Sequence, residues 1–315
     1  MGTEQLELFP LGVARTADAP AEPILPSSAP LSAAMEPFTG YMRQRELATN
    51  TIKSFLNDLK LFAAFIGPQT PLRDLTTRKL EQFLDYLERG RGVPCSPKSL
   101  ARRITTLKVF FGWLARGSVL PTDIAAPLPQ HEAVSPLPQI LSDRQVEEVL
   151  SVTSSMRDAP ESPDARPHLL VTLVLDAALK KSECMRLRLH DIDLSESGKP
   201  VVVVQYDKPR QRFKARRLAL PAEWAETLQP YLRRYQPRER LFECTPRNLE
   251  YVLHTVSVLA NLPTMLTFET LRWTSAVRSF RQGMDEEHLR KRLGLSRVSW
   301  QIDLPIIRKL GEGPL

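Results

Sequence analysis

The chain has 315 residues, with 43 Lys and Arg against 36 Asp and Glu for a net charge of +7, and 42% of it is hydrophobic. That is enough for two ordinary domains with real cores. Its basic excess suits a polyanion wherever the charges cluster. The three cysteines (Cys95, Cys184, Cys244) lie far apart and lack histidine neighbours, and no apolar run approaches the roughly 18–20 residues of a membrane span. A disulfide framework, a metal site and a membrane protein are thereby disfavoured, and a reduced cytoplasmic protein without a cofactor is expected.

Residues 1–34 are rich in Pro, Ala and Ser and have little to bury, so a disordered tail is expected there, with one short apolar patch, L-E-L-F-P at 6–10. From 35 to 118 the pattern turns helical. Ile52, Phe55, Leu56, Leu59, Phe62, Ala63 and Ile66 recur at three and four residues, with Thr49 or Asn50 as the expected N-cap. A second helix fits Leu80, Phe83, Leu84 and Leu87 and ends at Gly90. A third fits Ile104, Leu107, Phe110, Phe111 and Leu114. Together these predict a small helical bundle.

Five prolines between 119 and 139 (Pro121, Pro127, Pro129, Pro136, Pro138) predict an extended linker. A second domain, 140–315, opens at L-S-D-R-Q-V-E-E-V-L, where Ser142 and Gln145 have capping-box spacing. L-L-V-T-L-V-L-D-A-A-L reads as a buried helix, V-V-V-V-Q-Y at 201–206 as a strand, and R-R-L-A-L-P at 216–221 as its partner. Between the strands, Lys208, Arg210, Arg212, Lys214, Arg216 and Arg217 face only Asp207. So many like charges in one hairpin repel one another unless a polyanion neutralises them. The whole is expected to be mainly α with a small β-sheet (α+β). Trp113 and Trp224 read as core, Trp273 as core or as a surface for DNA, and His168, His190, His254 and His288 show no ligand spacing.

The run K-K-S-E-C-M-R-L-R-L-H-D-I-D from Lys180 to Asp193 resembles R-x-S-E-L-x-x-L-x-x-x-D-I-D of the tyrosine recombinases, the phage integrase and Xer-type family. T-N-T-I-K-S-F-L-N-D-L and A-R-R-I-T-T-L-K-V-F-F-G-W-L are similar to the first and last long helices of that family's core-binding domain. The likeness covers about 36–305. It implies a helical DNA clamp at 35–118, a catalytic-like domain at 140–315, and metal-free transesterification through a tyrosine. In such chemistry, preorganised cations hold the phosphate.

Position by position, the resemblance implies a degenerate site. The first arginine is Lys180, which keeps a charge but not the bidentate fork. Gln211 stands at the hairpin lysine, with Lys214 the nearest substitute. In E-T-L-R-W the second arginine is kept as Arg272, while Glu269 replaces a histidine and is also placed to pair with Arg272. In L-G-L-S-R-V, Leu295 replaces a histidine or tryptophan. The nucleophile should lie near Asp303 or Leu304, but no tyrosine follows Tyr251. No intact catalytic set remains.

The expected DNA-facing residues are Lys180, Lys181, Lys208, Arg210, Arg212, Lys214, Arg216 and Arg272, with Arg102 and Arg103 in the clamp. The resulting expectation is an inactive double-stranded-DNA-binding subunit, nucleoid-associated, that assists an active recombinase. Two alternatives stand beside it. One is an active recombinase whose nucleophile is relocated or supplied in trans. The other is a structural or regulatory module that binds protein, or a second copy, through the tail I-I-R-K-L at 306–310.

Overall fold

The computed structural model describes residues 25–129, 136–195 and 199–313. The apolar patch at 6–10 lies outside them. Packing divides the chain between Pro136 and Leu137 into two units.

The first unit holds α1 (Met35–Gln44), α2 (Thr49–Ile66), α3 (Thr77–Asp85), which runs on into a π turn at Tyr86–Gly90, and α4 (Pro97–Arg116). The faces read from the three-and-four spacing meet inside. Phe38, Phe62, Phe83, Phe110 and Phe111 are fully buried. Phe38 meets Phe110 edge to face, with ring centroids 5.1 Å apart, and Trp113 packs beside both. Ser96 caps α4, its hydroxyl accepting from the Ser99 amide. The expected cap of α2 is different. Thr49 is already helical, and Ala48 occupies the cap position without a side-chain bond.

Both borders of this unit differ from the expectation. The predicted tail enters the core, because Ala29, Leu31 and Ala34 are buried and Leu31 N–H donates to Thr70 O at 2.9 Å. Val119, Leu120, Ala125 and Leu128, assigned to the linker, are buried in the same core. Thr77 Oγ1 ties that stretch down by donating to Ile124 O at 2.8 Å. Prolines here punctuate a packed segment whose apolar side chains find an open face of the bundle.

The second unit begins with the predicted capping box. Ser142 N–H donates to Gln145 Oε1 at 2.9 Å, and Gln145 N–H donates back to Ser142 Oγ at 3.2 Å. Then come α5 (Asp143–Arg157) and α6 (Arg166–Ala177), whose residues Leu169–Ala177 are buried almost all round. The single-turn α7 (Lys181–Cys184) follows, then β1 (Ile192–Asp193), β2 (Val201–Val204) and β3 (Arg216–Ala219). The strands form an antiparallel sheet in the order β1-β2-β3, with Val201 opposite Ala219 and Val204 opposite Arg216. A 3₁₀ turn, Pro209–Lys214, closes the predicted basic hairpin. Five helices complete the unit: α8 (Ala222–Tyr235), α9 (Pro246–Leu259), α10 (Phe268–Arg281), α11 (Glu286–Leu293) and α12 (Arg297–Glu312).

Trp224 is core, as expected, and its indole N–H donates to Leu169 O. α12 lies on α10 of its own chain. Ile307 is fully buried there, and Arg281 donates to the carbonyls of Leu310, Gly311 and Gly313. The tail expected to reach a neighbour is thus engaged within its own unit. Among the described residues no helix is long and apolar enough to cross a membrane.

Candidate functional site

Around α7 the second unit gathers the residues of the 180–193 motif, the hairpin and α10. Glu183 is the hub. Arg216 reaches it with both guanidinium arms, Nη1 to Oε1 and Nη2 to Oε2, each at 2.9 Å. The Tyr206 hydroxyl donates to Oε1 at 2.6 Å and the Lys180 amide to Oε2 at 2.8 Å. The two side chains of the ion pair are only 1% and 7% exposed. Burial alone would raise the Glu183 carboxyl, but the bonds and charge of Arg216 hold it down to about 2. Gly294, at φ +60°, lets Arg216 through, because a Cβ there would lie 2.7 Å from Arg216 Nη1.

Arg216 is therefore structural, in contrast to its expected place among the DNA-facing cations. Arg103, also expected to face DNA, likewise turns inward. Asp58 is buried, and Arg102, Arg103 and Thr106 all turn toward it. Arg103 is only 13% exposed and also donates to Cys95 Sγ, while Arg102 keeps 40% of its side chain in solvent. A carboxylate inside a helical bundle has to be paired, and these arginines are its partners.

Arg272 and Lys180 share one wall of a cavity of about 860 Å³, also lined by Asp303, Glu269, Trp273 and Tyr251. Arg272 donates through Nη1 to Ala178 O and through Nη2 to Leu293 O. Those bonds, rather than the pairing with Glu269 weighed from sequence, aim its guanidinium. Glu269 is exposed in the first turn of α10, where the helix dipole favours it. Burial lowers the Lys180 ammonium to about 8, with the positive Arg272 adding to the effect, and it lowers Arg272 to about 10. Lys181 forms an ion pair with Glu250 at 2.6 Å.

The positions read as degenerate fall in different places. Leu295 is buried with Ala178, Ala276, Leu289, Leu293 and Ile307, against which Trp273 packs. Leu304 is half-buried and does not line the cavity. Its neighbour Asp303 does, on the turn of α12 that faces Lys180 and Arg272. Burial raises the Asp303 carboxyl and those two cations pull it back. Of the two positions that the resemblance left open, Asp303 is the one that lines the cavity. Sequence reasoning missed Tyr206. Its signal was the aromatic residue closing the strand-like V-V-V-V-Q-Y run.

On the hairpin, Lys208 and Arg212 are exposed, and Lys214 is half-buried with its ammonium 5.6 Å from the Tyr206 ring centroid. The Arg210 side chain lies outside the described set. What remains is a surface with the exposed Lys208 and Arg212 at its tip and a partly desolvated Lys180–Arg272 pair beside it, donors of the kind that suit phosphate oxygens.

The N-terminal region, residues 36–117, matches the model of the phage integrase N-terminal SAM-like domain. Tyrosine recombinase XerC of Mycobacterium sp. (strain JLS) is 24% identical over 284 residues, which is 85% of this chain and 92% of that protein. Over most of its length the chain resembles the tyrosine recombinases. XerD of Listeria innocua serovar 6a is 23% identical over 264 residues, 81% of this chain and 87% of that recombinase. Among solved recombinase-family structures, a lambda integrase dimer bound to a COC′ core site has a TM-score of 0.67 at 17% identity, covering 91% of this chain and 79% of that one. The Tn1549 transposon integrase with transposon right end DNA has a TM-score of 0.68 at 15% identity, covering 90% and 98%. These likenesses show the shared tyrosine recombinase fold.

The Lys180 ammonium gives a direct test of this geometry. Followed by NMR on dimethylated lysines, it titrates near 8, against about 10.4 for a free lysine. Added inorganic phosphate raises that midpoint, because a neighbouring dianion favours the charged form. An ordinary midpoint that phosphate leaves in place would show that Lys180 is open to water and does not face a phosphate site.

Proposed function

We propose that this chain is a double-stranded-DNA-binding member of the tyrosine recombinase family that does not cleave, and that it acts as an accessory subunit to an active recombinase in DNA integration or site-specific recombination. The observation that carries the reading is Asp303. Where α12 turns toward Lys180 and Arg272, the side chain is a carboxylate, which repels a phosphate and forms no lasting phosphodiester. The Leu295 side chain can donate no hydrogen bond, and Lys180 lacks arginine's fork. Lys208, Arg210, Arg212 and Lys214 are the proposed backbone contacts, with Lys180 and Arg272 at one phosphate. The chain is proposed to work in the cytoplasm on the nucleoid.

A second reading has one observation in its favour. The cavity beside Arg272 is large enough to admit an aromatic side chain, so a partner's tyrosine could be supplied in trans.

Two measurements test these readings. In a salt titration, wild-type binding to duplex DNA weakens steeply, and a Lys208→Ala/Arg212→Ala/Lys214→Ala variant loses about 0.9 of logarithmic slope for each phosphate contact removed. A shallow wild-type slope, or one the variant leaves intact, counts against DNA binding. On a nicked suicide substrate the chain traps no covalent adduct alone. An adduct on this chain overturns the inactive reading. An adduct that needs a partner's tyrosine establishes the trans one.

A further inference from the structure

The hairpin tip carries one residue that the phosphate-binding role leaves unused. Phe213 is 51% exposed, although its neighbours in sequence are Arg212 and Lys214. A phenyl ring in that setting covers no core. Nor is it loosely placed. The Lys214 ammonium sits 5.4 Å from the Phe213 ring centroid and 5.6 Å from that of Tyr206, so it lies against both rings. On Tyr206, the Arg186 guanidinium stands 4.7 Å from the ring centroid. Tyr206 is fixed in turn by its bond to Glu183, and the Lys214 carbonyl accepts from Arg216 Nη1 at 3.0 Å. Cation and ring contacts therefore run outward from the buried Glu183–Arg216 pair to an exposed aromatic face. Each such contact is attractive by the ring quadrupole.

We infer that Phe213 is a base-stacking residue, which receives an unstacked nucleobase while the cations beside it hold the flanking phosphates. The proposal rests on the DNA-binding reading above. The ligand is duplex DNA with a base free to leave its stack, at a gap or at a flexible step. Apolar wedges set among cations bind such sites because the ring replaces the lost base–base stacking. An isolated exposed phenylalanine needs no explanation in general. This one is different because it is held in place at the tip of the most basic stretch of the chain.

The test compares an intact duplex with the same duplex carrying a one-nucleotide gap opposite 2-aminopurine, using the full chain. Wild type prefers the gapped duplex and changes the 2-aminopurine fluorescence. Phe213→Ala loses about five- to a hundredfold of that preference, and loses the fluorescence change, while its salt slope stays that of wild type. Phe213→Trp retains both. Circular dichroism of each variant matches wild type, since the ring is outside the cores. Equal preference in wild type and Phe213→Ala, or a salt slope that falls together with the preference, overturns the stacking role and leaves DNA binding standing. No binding to either duplex overturns both.

Discussion

Arg216→Ala destabilises the second unit by about 3–5 kcal/mol, the cost of leaving a buried charge without its partner. Glu183 is 1% exposed, and the lost guanidinium supplied two of its four bonds. The dependence on pH identifies the cause. In wild type the Glu183 carboxyl is held near 2, below its ordinary value, so its contribution to stability is fully present above about pH 4.5 and is lost as the pH falls toward 2. Without Arg216 only the Tyr206 hydroxyl and the Lys180 amide oppose the burial cost, and the carboxyl shifts upward. Stability of the variant then improves on acidification where wild type weakens. Replacing both partners (Glu183→Leu with Arg216→Met) removes the orphan charge and recovers much of the loss, though Tyr206 and the Lys180 amide lose an acceptor. Urea unfolding across pH reads all three. A parallel pH profile in wild type and Arg216→Ala would show that the pair is not the origin of the loss.

Phe110→Ala removes about 3–5 kcal/mol from the first unit. The ring is fully buried and stands within 5.9 Å, centroid to centroid, of Phe38, Phe111 and Trp113, so truncation opens a cavity lined by rigid rings. Because the second unit has its own core, amide exchange there keeps wild-type protection while α1, α2 and α4 open more readily. Equal loss of protection in both units would show that they unfold as one.

These two sites also mark what could be read in advance. Phe110 was legible. Its place in a three-and-four apolar series fixes the inward face of α4, and the Ser142–Gln145 box shows its own cap in four letters. Arg216 was not legible, because a charge in a sequence has no direction. Six cations in one hairpin look alike until the fold sends Arg216 inward to a carboxylate 33 residues earlier. Arg103 fails for the same reason, its partner Asp58 being one helix face among several. The borders at Leu31 and Leu128 were not legible, because proline density signals an extended chain even where single apolar residues between prolines reach a core. β1 has two residues, too few to show an alternation. Of the candidate site, the 180–193 run and Arg272 were apparent at once, while Asp303 needed the phase of α12.

Each of the two cores closes over a continuous stretch of chain, and this bears on how the protein is made. The first stretch is complete once the residues up to Leu128 have been synthesised, including the return contact from Thr77 to Ile124. It needs nothing that comes later, so it can fold while the rest is still being translated. The second cannot finish early. Arg292 accepts the Arg216 Nε bond through its carbonyl, and Ile307 shares a buried cluster with Ala178, so that cluster waits for nearly the last turn of α12 to leave the ribosome. A ribosome stalled before that turn would carry a finished first unit and an unfinished second one.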